Sequence, residues 1–202
     1  MPSKIDPLIT GDIYHIYNRG VDKRDIFQEK KDTLRFYNCL HLFNTEMATK
    51  NYRLASGPAS TEDKLVSVVA YSLLPNHYHL ILRQEKDKGI EEFMRRVATG
   101  YTSFFNQKYD RSGSLFQGRY KRKRIDSDEY YNYLFAYVNE NFTVHGIASP
   151  ADICYSSASH YESLVRSRLI NEPPDEYCRF EAQQLAQEIY KKRLLTKSEV
   201  FE

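Results

Sequence analysis

Between Gly11 and Arg19 the chain alternates apolar and polar side chains (GDIYHIYNR), the period-two pattern of a half-buried strand, and Asn18-Arg19-Gly20 leads out of it. From Glu29 to about Phe43 the spacing changes to helical: Leu34, Tyr37, Leu40, His41 and Phe43 recur on one face. Glu29 and Asp32 sit at the end where the helix dipole favours acids. Glu46 to Lys64 is polar, carries Gly57-Pro58 in its middle and reads as a mobile loop. Leu65 to Leu74 (LVSVVAYSLL) is apolar and rich in β-branched residues, which predicts a central strand. Pro75-Asn76 turns the chain, and His77 to Arg83 returns as the hairpin partner. A second helix is expected from about Ile90 to Tyr109, with Phe93, Val97, Tyr101, Phe104 and Phe105 as its apolar stripe. After the turn Arg111-Ser112-Gly113, Ser114 to Ile125 is expected to form a strand and Asp128 to Asn141 a third helix.

The order β-α-β-β-α-β followed by a helix is that of an α+β fold, a ferredoxin-like split βαβ with an antiparallel sheet. Beyond Pro150 the pattern loosens. Asn171-Glu172-Pro173-Pro174-Asp175 reads as a hinge, and Tyr177 to Leu195 as a polar, amphipathic helix, so a helical C-terminal extension is expected.

Composition narrows the class. The 202 residues suffice for one well-packed domain plus an appendage. No apolar run is long enough for a membrane span, and the N-terminus lacks an apolar signal core, so a cytoplasmic protein is expected. Cys39, Cys154 and Cys178 are widely spaced and form no CxxC pair; they read as free thiols. The formal net charge of +2 does not by itself announce a nucleic-acid binder. There are 17 Tyr and 11 Phe but no Trp, and tyrosine supplies both packing area and stacking surface for bases.

The candidate chemistry starts at Pro75-Asn76-His77-Tyr78-His79-Leu80. Strand side chains alternate faces, so His77 and His79 point one way and Tyr78 the other. Two imidazoles side by side on a strand make half of a divalent-metal site. The helix from Asp128 to Asn141 carries Tyr130, Tyr131, Tyr133 and Tyr137, and Tyr133, Tyr137 and Asn141 share a helix face at four-residue intervals. A phenol beside an amide oxygen is what a metal-assisted tyrosine nucleophile needs, the amide helping to hold the cation. With four tyrosines in eight residues, most must pack on the sheet, and composition does not choose among them.

From Arg111 to Arg124 (RSGSLFQGRYKRKR) there are six Lys or Arg and no acid, interleaved with Phe116, Gln117 and Tyr120. An alternating strand projects Arg119, Lys121 and Lys123 to one side and Tyr120, Arg122 and Arg124 to the other. Phosphate-binding cations with aromatics are the makeup of a single-strand groove, and Arg95-Arg96 on the preceding helix extend it. His15, on the first strand, neighbours the His77/His79 pair if that strand is central. His41 falls on an apolar helical stripe and reads as core, and His145 and His160 are assigned no role.

These motifs, in this order, resemble the single-tyrosine (Y1, HUH) transposases of the IS200/IS605 type, and within them the REP-associated tyrosine transposase branch. The resemblance rests on Tyr14-His15-Ile16-Tyr17-Asn18-Arg19-Gly20 followed by Asp25-Ile26-Phe27, on Leu74-Pro75-Asn76-His77-Tyr78-His79-Leu80, and on Ser112-Gly113-Ser114-Leu115-Phe116-Gln117-Gly118-Arg119-Tyr120-Lys121. It continues through Tyr133-Leu134-Phe135-Ala136-Tyr137-Val138-Asn139-Glu140-Asn141 and the tail Pro150-Ala151-Asp152 with Tyr155-Ser156-Ser157. It implies a catalytic domain over residues 1–160, with 161–202 as the extension. His77, His79 and Asn141 would be ligands of Mg²⁺ or Mn²⁺. Tyr137 would be the nucleophile, with Tyr133 in reserve. The substrate would be single-stranded DNA beside a hairpin, cut through a 5′-phosphotyrosine link. Arg95, Arg96, Arg111, Phe116, Arg119, Tyr120, Lys121, Arg122, Lys123 and Arg124 are the expected DNA contacts. The family often has Asn-Pro after the catalytic helix, where this chain has Asn141-Phe142; Phe116 and Tyr155 stand at positions where Trp is usual. A monomer is expected over a homodimer because of the extended C-terminus. Two rival readings are a binding module of the same fold that does not cleave, and a metal-dependent nuclease that uses water.

Overall fold

Nine consecutive buried residues, Val66–Leu74, form the strand β2, and the two-residue turn Pro75-Asn76 returns the chain into β3, His77–Gln84. A strand buried along its whole length requires cover on both faces. The computed structural model that shows this describes residues 7–45, 64–144, 155–158, 184–185 and 187–188. Around the hairpin lie β1 (Ile13–Arg19), α1 (Lys30–Leu42), α2 (Gly89–Lys108), β4 (Lys121–Arg124), α3 (Asp128–Asn139), the one-turn α4 (Asn141–Val144) and β5 (Tyr155–Ser156). The sheet order is β4-β1-β3-β2-β5, with every neighbouring pair antiparallel. The first four strands and two helices are the expected ferredoxin-like α+β arrangement, with β5 added at the β2 edge.

One face of the sheet carries α1 and α2. Phe36 and Leu40 of α1, and Phe93, Val97, Tyr101 and Phe105 of α2, form a buried cluster with Tyr14, Ile16, Tyr78, Leu80 and Leu82 of the strands. The other face carries α3, where Leu134, Phe135, Tyr137 and Val138 pack on Val69, Ala70 and Ile81. Helix α1 begins where the Asp32 carboxylate accepts the N–H groups of Gln28 (2.9 Å) and Glu29 (3.2 Å). Helix α3 begins where Ser127 Oγ accepts the Tyr130 N–H at 3.2 Å.

Three expectations need correction. The strand expected over Ser114–Ile125 is confined to Lys121–Arg124, because Gly118 takes a left-handed φ of +77° and Phe116 touches β1 only through a bridge to Gly20. The helix expected to reach Asn141 breaks at Glu140 (φ −102°, ψ 14°), and Asn141 opens the short α4. Helix α1 buries Phe36 and Cys39, and Leu34, counted in its apolar stripe, is exposed. The Glu46–Lys64 loop (apart from Lys64), His145, His160, Cys154, Cys178, the hinge and the boundary near residue 160 lie outside the described residues. So does the expected Tyr177–Leu195 helix, except at 184–185 and 187–188, which are helical. Cys39 is buried, and burial pushes its thiol up to about 11. Among the described residues no helix is long and apolar enough to cross a membrane.

Candidate active site

The turn that precedes the histidine pair is held from outside. Pro75 O accepts the N–H groups of Ile26 (2.7 Å) and Phe27 (2.9 Å), and Asn76 O accepts that of Gly20 (2.8 Å). Gly20 lets the chain from Arg24 to Ile26 pass close over it: a Cβ there would lie 2.2 Å from the carbonyl oxygen of Arg24. The Asn18-Arg19-Gly20 and Asp25-Ile26-Phe27 segments thus fix where β3 starts. Asn76 then reaches in both directions, its Nδ2 donating to Lys23 O at 3.3 Å and its Oδ1 lying 2.5 Å from His77 Nδ1.

His77 and His79 share one face of β3, as alternation requires, with ring centroids 5.2 Å apart at 84°. Their partners across β1 are Arg19 and Tyr17. Because β1 is central, His15 also reaches the pair: its Nε2 lies 2.8 Å from His79 Nδ1, both residues being buried. Tyr17 sits beside both rings, 4.7 Å from His15 and 5.8 Å from His79. Burial, and next the neighbouring Tyr130 phenol, raise the Tyr17 hydroxyl above its usual range.

Helix α3 closes this face. The Tyr137 ring meets the His79 ring edge-on, with centroids 5.6 Å apart at 90°, and is 4% exposed. Tyr133, one turn earlier, is half-buried and stacks on Tyr130 at 6.1 Å. The Glu140 N–H still bonds to Ala136 O at 3.0 Å, so the helical turn carries on to the start of α4. There Asn141 is fully buried, and neither its amide oxygen nor its amide nitrogen has a hydrogen-bond partner among the described residues. A buried amide with both ends unmet is costly in a closed protein and suits a residue that awaits a ligand. Two imidazoles and an amide oxygen form a mixed nitrogen–oxygen set that accepts a divalent cation with water completing the shell. Among the described residues there is no group of three His, Cys, Asp or Glu that could hold a metal.

The basic residues divide by face. Lys121 pairs with Tyr17 and Lys123 with His15, which puts both lysines on the histidine side of the sheet; Lys123 Nζ lies 4.2 Å from the Tyr130 ring centre. Arg122 faces α2, where it and Arg119 approach Glu91 at 3.8 and 2.9 Å. Arg119 therefore does not share a face with the lysines, as strict alternation had suggested, because the strand begins only after Tyr120. Arg124 pairs with Asp12 at 2.8 Å. Arg95 and Arg96 both bind Glu92, and Arg95 foremost holds its carboxyl down at about 2. Arg111 donates to Asn106 Oδ1 (2.5 Å) and Ser114 O (3.1 Å). Phe116 departs from expectation: it is 5% exposed and packs against Tyr78 and Tyr101 in the core, so its ring has no face to offer a base. Tyr120 is half-buried against the same cluster, and Arg119, Tyr120, Arg95 and Asn18 line a cleft of about 470 Å³ on the α2 side.

A family model described as IS200-like transposase matches residues 40–141, from α1 to the first residue of α4. The chain belongs to the IS200-like transposase family. The matched stretch contains His77, His79, Tyr137 and Asn141, and membership makes the protein a transposase, an enzyme that cuts and joins DNA. No curated protein matches the sequence. Among solved structures the fold is similar to that of a REP-associated tyrosine transposase bound to a REP hairpin. The match has a TM-score of 0.55 and 14% identity over 89% of this chain and 96% of that one. Three features around this site in the transposase stand outside its sequence motifs: Tyr17 beside His15 and His79, the buried Glu140, and the hydrogen bond from Ser157 to Asn139. The alternation of β1 was the available signal for Tyr17; nothing in the local pattern marks the other two.

Proposed function

We propose that this transposase cuts and rejoins single-stranded DNA beside a hairpin, with Tyr137 as nucleophile and His77, His79 and Asn141 as ligands of one Mg²⁺ or Mn²⁺ ion. The observation that carries the reading is the edge-on contact of the Tyr137 ring with that of His79, which supports Tyr137 as the tyrosine that works beside the histidine pair. The Tyr137 phenol oxygen attacks the phosphorus of a phosphodiester. The bond from phosphorus to the 3′ oxygen breaks, the 3′-hydroxyl departs carrying a proton, and the 5′ phosphate stays on the tyrosine. A second 3′-hydroxyl reverses the step, and because one phosphoester replaces another no external energy source is needed. When bound, the ion supplies charge stabilisation at the phosphoryl oxygens. His77, His79 and Asn141 would hold the ion, and Lys121 and Lys123, on the histidine side of the sheet, attract the backbone. Tyr137 is 4% exposed, so binding DNA includes uncovering it. The hairpin in the substrate is supported by the fold shared with the REP-associated transposase bound to a REP hairpin.

The test incubates wild type, Tyr137→Phe and Tyr133→Phe with labelled single-stranded hairpin DNA, with and without Mg²⁺ or Mn²⁺, on a denaturing gel. A metal-dependent protein–DNA adduct in wild type and Tyr133→Phe, absent from Tyr137→Phe, is expected. An adduct that survives in Tyr137→Phe moves the role to Tyr133. Cleavage without adduct means hydrolysis by water, and retention without cleavage means a binding module.

A further inference from the structure

We infer that His15 is a positioning residue for the metal ligand His79: it fixes the ring's tautomer so that Nε2 carries the ligating lone pair. The inference rests on the metal site proposed above and adds a residue outside the His77/His79 motif. The two imidazole planes are within 14° of parallel, yet their centroids are 5.1 Å apart and their nitrogens 2.8 Å apart. Rings stacked face to face would bring the centroids closer; this spacing is that of two imidazoles meeting nitrogen to nitrogen nearly in one plane. One of the two nitrogens must carry the proton. If it is His79 Nδ1, then Nδ1–H donates to His15 Nε2, and His79 Nε2 presents a lone pair on the face that also holds His77 and Tyr137. If it is His15 Nε2, the proton of neutral His79 sits on Nε2 and blocks coordination there.

The same arrangement recurs one residue pair away. Asn76 Oδ1 lies 2.5 Å from His77 Nδ1; a carbonyl oxygen accepts, so His77 also carries its proton on Nδ1. Both histidines are thus held at Nδ1 from behind and offer Nε2 forward. Outer-shell hydrogen bonds of this kind orient metal-bound imidazoles, and losing one typically costs 10- to 100-fold in metal affinity. Burial makes the His15 contact firm: His15 is 6% and His79 1% exposed, so water does not readily replace the acceptor.

The test begins with intact, metal-free wild type at about pH 8, above the ordinary histidine range. Long-range ¹H–¹⁵N NMR is expected to find His79 as the Nδ1–H tautomer and His15 unprotonated at Nε2; His79 protonated at Nε2 overturns the inference. The second readout is Mn²⁺ binding without DNA, followed by EPR. His15→Phe, which keeps an aromatic ring but no acceptor, is expected to weaken binding at least about tenfold. His15→Gln, whose amide oxygen can stand where Nε2 stood, should stay close to wild type. Equal Mn²⁺ affinity in wild type and His15→Phe overturns the role of His15 while leaving the metal site intact. Failure of wild type to bind Mn²⁺, or unchanged binding in His79→Ala, overturns the metal site itself and the inference with it.

Discussion

Ser157 Oγ donates to Asn139 Oδ1 at 2.5 Å, and the same oxygen accepts the Tyr71 N–H at 3.0 Å. Ser156 Oγ adds a bond to Asn139 O at 2.9 Å, and Asn139 Nδ2 returns to Phe135 O at 3.0 Å. The last residue of α3 is therefore tied to β2 through the segment that begins as β5, two positions before Asn141. All of these partners are buried or partly so, which makes the bonds expensive to leave unmade. Ser157→Ala should lower stability by about 1–3 kcal/mol, read as a shift in the urea midpoint. Adduct formation should fall by more than the loss of folded protein explains, because the end of α3 loses its tether. An unchanged midpoint would mean that the contact carries no stability.

Asn141 invites the opposite result. Its amide is fully buried without a hydrogen-bond partner among the described residues. Asn141→Leu replaces it with an apolar side chain of similar volume, removing a desolvation cost of roughly 1–3 kcal/mol. The metal-free variant should be as stable as wild type or more so, and should form no adduct. Urea melts with and without Mn²⁺ check both halves, since only wild type should gain stability from the ion. A large loss of stability in the metal-free variant would show that the amide has a structural duty.

The contrast between these two asparagines marks what the sequence can reveal. Asn141 draws notice in the sequence because it stands four residues after Tyr137, although the helix that spacing implies ends at Asn139; Asn139 draws none, because its partners come from two residues that follow a long gap and carry no periodic pattern. Strands β1 to β3 and the three helices were legible from alternation, apolar runs and helical spacing, and alternation alone put His77 and His79 on one face. The arginine- and lysine-rich stretch misled: its composition suits an exposed strand, yet Gly118 turns the chain and Phe116 dives into the core, outcomes decided by tertiary packing. The choice between Tyr133 and Tyr137 depends on how α3 docks on the sheet, a non-local fact. His15 was conditional on β1 being central, which pairing with β3 and β4 makes it.

Asp32 gives a pH dependence. Its carboxylate is fully buried at the start of α1, where it accepts from Lys108, from Tyr109 OH at 2.7 Å and from the Gln28 and Glu29 N–H groups. Burial pushes its pKa up, but the Lys108 ammonium, Tyr109 and the two N–H groups outweigh this and leave it below the ordinary carboxylate value. A group depressed in the folded state contributes stability above its unfolded pKa and loses it as pH falls through the folded one. Stability should therefore drop in acid, from about pH 4 downward. In Asp32→Asn this drop should be smaller, and the variant should be weaker at neutral pH by roughly 1.5–3 kcal/mol. Urea midpoints of both proteins between neutral and acid pH make the comparison; parallel curves would refute it.

The division of the basic residues by face predicts unequal roles in DNA binding. Lys121 and Lys123 lie on the side of the sheet that holds the histidines and Tyr137, whereas Arg122 turns to Glu91 and Arg124 to Asp12. An arginine already paired with a carboxylate must give up that partner, or share it, before it can neutralise a phosphate. Single-stranded DNA that approaches Tyr137 should thus meet the lysines first. Each of Lys121→Gln and Lys123→Gln should reduce the slope of log affinity against log salt by about 0.7, the value for one lost phosphate contact on a single strand. Arg124→Gln should change it less, since Asp12 already occupies the Arg124 guanidinium and leaves it less able to neutralise a phosphate. Fluorescence anisotropy with labelled hairpin DNA over a salt series measures all three slopes. A larger change for Arg124→Gln than for either lysine would place the DNA path over the α2 side of the sheet, toward the cleft lined by Arg95 and Arg119.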